Sequence, residues 1–333
     1  MQCTPCFKGV EKICVEQAIV RKLSSMPDAI LSKSTIADHG DVRGKTKVIE
    51  QLEDPLLVRI RTLDCLTAND AEIKADLPVA KDKTSQNVCV MSYLKEHGVP
   101  VAFVSRNDAT TFIAQKCQML PIEFVVRRRA FGSYLKRHHY ATAGDIFDPL
   151  HTEMFHKYAV IPPCGIAKTV AAIFEVPRQI PEQRARELYM ENGKWTRQIF
   201  TDPLITVVDK TTWNLHHAKR PVVDAEPLMS IFPLLKSHEL KYIREKIAIP
   251  TFTLLEKAWA KVKISLIDLK LEVGYSKKTK EILLADVIDN DSWRIWSDGD
   301  PHRDISKQSF RDGEALPTIQ QKYRIVTEYV QKF

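Results

Sequence analysis

No apolar run in the 333 residues approaches the roughly 18 that a membrane-spanning helix needs. The N-terminus carries no basic-then-apolar leader, because Lys8, Glu11, Lys12 and Glu16 interrupt it. The seven cysteines, at 3, 6, 14, 65, 89, 117 and 164, are odd in number and scattered. They do not read as a disulfide framework, and the CxxC of Cys3 and Cys6 has no second pair at zinc spacing. Reduced thiols and a cytoplasmic protein are therefore expected. The GxxxxGK[ST] phosphate loop is missing, as are RNP, zinc-finger and arginine-rich segments. The surplus of 49 basic over 42 acidic residues, net +7, is dispersed along the chain. It suits an enzyme whose substrates carry several phosphates and carboxylates. A nucleic-acid-binding protein is the non-enzyme alternative; it would need a continuous basic face and steeply salt-dependent affinity. Hydrophobic content of 44% and charged content of 27% are ordinary for a globular chain. The length permits one large domain or two moderate ones.

The most informative stretch runs from Ile264 to Trp296. Ser265, Ile267, Leu269, Leu271 and Val273 alternate with Asp268, Lys270 and Glu272, so a strand places the three charged groups on one face. Gly274 and the polar run to Thr279 predict a hairpin turn, with a second strand over Glu281 to Val287 that brings Asp286 beside Glu272. One reading is a solvated strand face carrying both signs of charge. The other is a hard-cation site. Two carboxylates suit Mg2+, which leaves its other positions to water and phosphate oxygens. Lys270 would meet phosphate as a point charge. Arg294, between Trp293 and Trp296, is a stiffly held guanidinium for an anion.

Elsewhere, residues 1–38 predict a helix-bearing extension. Gly44, Lys45 and Lys47 lie in a turn between two strands, the second pairing onward with Leu56 to Ile60. Such a hairpin can cover a triphosphate or simply be solvated. Asp64 to Asp70 reads as a polar loop. Lys81 to His97 reads as a helix capped by Thr84 or Ser85, lined by Val88, Met91 and Leu94, and stopped by Gly98. Strands are expected at Val101 to Val104, Thr111 to Ile113 and Pro121 to Arg129. A turn at Ala130 to Gly132 then opens a helix at Ser133. Arg127 just before that helix start suits a phosphate; the other reading is an ordinary Ser-capped helix with a solvated basic flank. Helices are also expected at Leu235 to Ile247 and Phe252 to Val262, separated by Pro250, and at Thr318 to Gln331.

GKTK at 44–47, the loop at 64–70, PIEFVVRRRAFGSYLKR at 121–137, DLKLEVG at 268–274, LLADVIDNDSWRIW at 283–296 and KQSFRD at 307–312 occur in one order. Together they resemble the phosphoribosylaminoimidazole-succinocarboxamide synthase (SAICAR synthetase) family, from about Arg43 to Phe333. The resemblance implies an α/β fold. An N-terminal antiparallel sheet similar to a protein-kinase small lobe would span 39–120, and a larger α/β domain 121–333. It implies a ligase of purine biosynthesis that uses ATP and Mg2+ to condense carboxyaminoimidazole ribonucleotide with L-aspartate through an acyl phosphate. A small-molecule kinase using the same Mg-ATP machinery is the nearest alternative. By the same resemblance Glu272 and Asp286 are metal ligands, and Gly44, Lys45, Lys47 and Lys270 contact ATP. Arg127, Ser133 and Arg294 hold the 5′-phosphate, and Glu123 and Asp268 face the imidazole. Lys307 and Arg311 meet substrate carboxylates. Lys45, Lys47, Lys270 and Asp268 form the catalytic set. Adenine would lie near 117–122; a homo-oligomer such as a dimer is one reading of the assembly, and the sequence does not fix the oligomeric state.

Several positions depart from the family pattern. Asn69 stands where glycine is usual and Phe131 where threonine or alanine is usual. Of the family's KxDxxxxDP segment only Asp202-Pro203 remains, with Thr196, Arg197 and Gln198 in the places of its Lys-Asn-Asp and Lys194 a candidate substitute. The stretch 140–201 reads as an insertion with an amphipathic Glu182 to Asn192. His216 and His217 read as surface residues. The chain ends soon after its helical tail, so the carboxylase domain of the fused animal enzyme is not expected.

Overall fold

The computed structural model describes residues 41–68, 73–162, 178–192, 194–221 and 226–333. The expected extension over 1–38, and Asn69, lie outside the described residues. The first part begins with β1 (Val42–Arg43), β2 (Lys47–Gln51) and β3 (Leu57–Thr62). A small antiparallel pair follows, β4 (Cys65–Ala68) and β5 (Ile73–Asp76), and then α1 (Ala80–Glu96), β6 (Phe103–Arg106) and β7 (Thr111–Gln115). Among the described residues, five of these strands form an antiparallel sheet in the order β1-β2-β3-β7-β6. Val58, Ile60, Phe112 and Ala114 turn inward toward Val90, Met91 and Leu94 of α1.

Two expectations change here. Cys65–Ala68 is a strand, because its backbone pairs with Ile73–Asp76 rather than remaining in a loop. Thr84 and Ser85 do not cap α1 and are buried inside it. Instead the Asp64 carboxylate accepts from the Ala80 N–H at 2.8 Å, so the cap arrives from the turn between β3 and β4. Gly98 ends the helix as expected, at φ +81°.

The second part opens with β8 (Cys117–Arg129), the short α2 (Ser133–Arg137), β9 (Ile146–His156), β10 (Tyr158–Ile161) and β11 (Arg178–Pro181). It continues with α3 (Glu182–Tyr189), the ribbon β12 (Met190–Glu191) and β13 (Lys194–Trp195), then β14 (Leu204–Val207), β15 (Trp213–His216) and β16 (Met229–Ile231). α4 (Ser237–Tyr242) runs through a π segment, Ile243–Ala248, into α5 (Ile249–Lys261). β17 (Ile264–Ser276), β18 (Ile282–Leu284), β19 (Trp293–Ser297), α6 (Gln308–Arg311) and α7 (Leu316–Val330) complete it. Among the described residues, eight strands form one sheet in the order β16-β15-β14-β9-β8-β17-β18, with β19 also on β17. β9 is thus an interior strand of this sheet.

The long strand β17 pairs with β8 along one edge. On its other edge β19 takes residues 264–269 and β18 takes 273–275. Its apolar residues Leu269, Leu271 and Val273 are buried against Phe252, Leu255 and Trp259 of α5. A bulge between Leu266 and Asp268 breaks the expected alternation, and Leu266 rather than Ile267 joins this core. Gly274 is needed where the strands crowd, since a Cβ there would lie 2.9 Å from the Gln118 carbonyl oxygen. Pro121 falls at the register shift of β8 against β17, where the missing N–H breaks no ladder bond. Pro250 does not separate two helices. It is near the start of α5, and the wider π turn before it re-registers the ladder around a residue with no N–H.

His216, expected at the surface, is buried in β15 with its Nε2 3.0 Å from the Thr206 hydroxyl. His156 ends β9, 2% exposed, and its Nδ1 has no hydrogen-bond partner among the described residues. Burial pushes its pKa down to about 4. An unfolded histidine protonates near 6.5, so between those values the unfolded chain holds the extra proton. The contribution of His156 to stability is complete above about pH 6.5 and is lost as pH falls toward 4, with a slope of up to about 1.4 kcal/mol per pH unit. Urea unfolding of the wild type and His156→Phe from pH 4.5 to 7.5 checks this. The variant's stability should fall less steeply below pH 6.5, and parallel curves would refute the assignment.

Candidate active site

β17 presents Asp268, Lys270 and Glu272 on one face, as the alternation predicts, and each meets opposite charge. Asp268 is 4% exposed. Its Oδ2 accepts from Arg127 at 2.5 Å and from Arg294 at 2.6 Å. Arg127 also donates to Glu153 at 2.7 Å and to the Ser133 hydroxyl at 3.4 Å. Glu153 in turn accepts from the buried Arg137. Burial alone would raise the Glu153 pKa, yet His151, Arg127 and Arg137 hold it well below the usual carboxylate range. Gly132, at φ +61°, allows the close approach of Arg294: a Cβ there would lie 2.8 Å from its guanidinium. Phe131 lies under Arg294, 5.5 Å from guanidinium to ring centroid, and edge-on to Trp296. The aromatic side chain thus props the guanidinium.

Two residues along, the Lys270 ammonium sits among three carboxylates: Glu272 at 2.8 Å, and Glu123 and Asp286 at 3.6 Å each. Burial works against this ammonium, but the three carboxylates hold its pKa well above the lysine norm. Lys47 reaches Asp286 at 2.8 Å and Lys157 reaches Glu272 at 2.5 Å. Burial raises the Asp286 carboxyl, and Lys47, Lys270 and Lys157 more than offset that. Glu123 goes the other way, its pKa raised chiefly by burial. The structure therefore brings Lys47, Glu123, Lys270, Glu272 and Asp286 together. The second hairpin strand stops at Leu284, three residues short of the expectation. The Ala285 N–H still bonds the Glu272 carbonyl, which delivers Asp286 to the cluster.

Lys157, which the sequence reading did not single out, joins the cluster at Glu272, whereas Lys194 lies exposed in the β12–β13 ribbon. The His156 N–H donates to the Pro203 carbonyl, so Lys157 lies close to Asp202-Pro203 in space although some 45 residues separate them in sequence. That separation hid Lys157 from the sequence pattern. Lys45, by contrast, turns to Glu182 at 3.3 Å. Gly44 closes the tight turn beneath it through a 2.8 Å bond to the Lys47 carbonyl.

A third group surrounds Asp291. Lys83, fully buried, and Lys307 reach its Oδ2 at 2.8 and 3.2 Å, and the Tyr323 hydroxyl donates to Oδ1. Burial raises the Asp291 pKa, but Lys83 and Lys307 carry it below the usual range. Gln86 and Asn87 accept from the backbone N–H groups of Asn290 and Ile288. Lys83, Gln86 and Asn87 share a face of α1 at i, i+3 and i+4; that spacing was the available signal for them. Gln308 links Arg294 and Arg311, accepting from each at 3.3 Å.

Comparison with known proteins follows the same outline. A family profile described as SAICAR synthetase matches residues 41–328. The chain is 32% identical over 296 residues to the Homo sapiens bifunctional phosphoribosylaminoimidazole carboxylase/phosphoribosylaminoimidazole succinocarboxamide synthetase, covering 86% of this chain and 57% of that protein. The chain thus spans little more than half the length of that relative. Against the phosphoribosylaminoimidazole-succinocarboxamide synthase of Herpetosiphon aurantiacus the identity is 27% over 299 residues, with 87% of this chain and 96% of that protein covered. A solved SAICAR synthetase (Type-2) in complex with ADP superposes with a TM-score of 0.59 at 23% identity, covering 87% of this chain and 97% of that one. It shares the fold.

The Asp268 contacts give a stability test. Asp268→Ala leaves two guanidiniums without their common partner, one of them buried. The expected loss is about 3–5 kcal/mol in urea unfolding. A loss below about 1 kcal/mol would show that Glu153 and solvent suffice for both.

Proposed function

The chain belongs to the SAICAR synthetase family, and on that premise we propose that it is an ATP-dependent ligase. It joins the carboxylate of carboxyaminoimidazole ribonucleotide to the amine of L-aspartate, giving SAICAR, ADP and phosphate. One observation carries the reading: a single face of β17 holds an arginine pair at Asp268 and a lysine–carboxylate cluster at Glu272. The strand spans about 13 Å between those residues. A ribonucleotide can lie along it, phosphate at the arginines and carboxylate at the lysines.

The chemistry requires both ends. A free carboxylate cannot acylate an amine, because oxide would have to leave. Its oxygen attacks the γ-phosphorus of ATP, the bond to ADP breaks, and an acyl phosphate forms. The aspartate amine then attacks the acyl carbon, phosphate departs, and the amine loses a proton. Phosphoryl transfer asks the protein mainly for positioning and charge neutralisation. Lys45, Lys47 and Lys270 supply positive charge at the phosphates. Arg127, Ser133 and Arg294 hold the 5′-phosphate, with Asp268 fixing both guanidiniums. Glu123 faces the imidazole, and Lys307 and Arg311 take substrate carboxylates. Adenine lies near 117–122. The ADP bound by the relative of like fold supports the nucleotide assignment.

The residues fit Mg2+. Glu272 and Asp286 offer hard carboxylate oxygens within 3.6 Å of one ammonium, and Mg2+ takes one or two such ligands. They would hold it, and the ion would neutralise phosphate charge there.

The test is product formation with ribonucleotide, MgATP and L-aspartate, each omitted in turn. SAICAR should appear only with all components; ATP turnover indifferent to aspartate would instead mark a kinase. Asp286→Asn should lower kcat by about 100-fold or more, and near-normal turnover would remove Asp286 from the metal site. Arg294→Ala should raise KM for the ribonucleotide at least about tenfold. A change confined to ATP would assign Arg294 to the other phosphate.

A further inference from the structure

We propose that Glu182 competes with ATP for Lys45 and that Arg186 restrains Glu182, so that this pair sets the affinity for nucleotide; the inference rests on the proposed placement of Lys45 at the ATP phosphates. Lys45 comes from the turn between β1 and β2. Its ammonium lies 3.3 Å from Glu182 Oε1, on the first residue of α3. The same oxygen accepts from Arg186 Nε at 2.7 Å, one helical turn on. Arg186 is itself fixed, its guanidinium 5.3 Å from the Trp195 ring centroid. The Glu182 and Arg186 side chains are 16% and 18% exposed, whereas Lys45 is 45% exposed. The carboxylate is therefore the anchored partner and the lysine the mobile one.

The chain path gives this contact its meaning. Lys157, at the head of the β10–β11 pair, is bound to Glu272. β11 leads directly into α3. The segment thus starts on the lysine–carboxylate cluster and returns to the turn that carries Lys45. A carboxylate oxygen held against Lys45 occupies the place that a phosphate oxygen needs. Nucleotide binding must break that ion pair and leave Glu182 near a polyanion. Arg186 weakens the competition by holding the same oxygen.

Two substitutions then act in opposite directions. Glu182→Gln, nearly isosteric, removes the competitor and should tighten binding of MgADP and a non-hydrolysable ATP analogue by about two- to fivefold, the range of an exposed ion pair. Arg186→Met keeps the stem but releases Glu182 wholly to Lys45, and should weaken binding about twofold. In a Lys45→Met background, itself weaker, the gain from Glu182→Gln should shrink to less than about 1.5-fold, because the contested ammonium is gone. Isothermal titration of the four proteins and the double variant reads all of these. Shifts of the same sign for Glu182→Gln and Arg186→Met would mean a merely structural contact and overturn the proposal. So would an undiminished effect without Lys45, or a Lys45→Met protein that binds as tightly as the wild type. A wild type that binds neither nucleotide would overturn the ligase reading, and this proposal with it.

Discussion

Strand β17 takes two carboxylates, Asp268 and Glu272, into the interior with the half-buried Lys270 between them, and the rest of the site is arranged around that fact. A charge removed from water costs several kcal/mol unless partners meet it. Asp268 has two guanidiniums, Lys270 three carboxylates and Glu272 two ammoniums. Their partners come from β8, from the residue after β9, from the loop after β18 and from β19. Register makes this possible. Asp268 lies opposite Arg127, while Glu272 lies opposite Glu123. The second pairing sets like charges side by side and is tolerable because Lys270 stands between them. A one-residue slip would turn every one of these groups to the other face. The electrostatics and the sheet register therefore specify each other.

The loop after β18 depends on the same logic by another route. Residues 288–291 have no strand to hold them. α1 takes them instead, with Gln86 and Asn87 on their backbone and Lys83 on Asp291. An α-helix thus offers one face to the hydrophobic core, through Val90, Met91 and Leu94, and another to a polar loop. Tyr323 of α7 closes the far side of Asp291. Lys307 is consequently anchored through a carboxylate that the helices fix, rather than by its own short helical neighbourhood.

What the sequence made legible was periodic. The alternation of Asp268, Lys270 and Glu272 showed the charged face of β17, and the apolar periodicity located α1, α5 and α7. The bulge at Leu266 could not be read, since a bulge changes register without changing composition. β4 was hidden because four residues with one charged neighbour look like a polar turn, and only their pairing with Ile73–Asp76 makes them a strand. Lys157 was hidden by distance along the chain, and Lys83 by its place inside a helix whose apolar face drew attention. Both are ion-pair residues, and pairing across long sequence separations leaves no local pattern. Phe131 was noticeable as a departure, but its part in holding Arg294 needed the geometry of the turn.

The passage between the two sheets is a single residue, Lys116, between the end of β7 and the start of β8. Its N–H donates to the Leu56 carbonyl and its own carbonyl accepts from the Lys277 N–H. Leu284 is bonded on both sides as well, to the Pro100 carbonyl and the Ala102 N–H. The two sheets are thus riveted at two points on the backbone, and neither point has slack to act as a swivel. Lys47 of the first sheet therefore meets Asp286 of the second across a junction that the backbone itself braces.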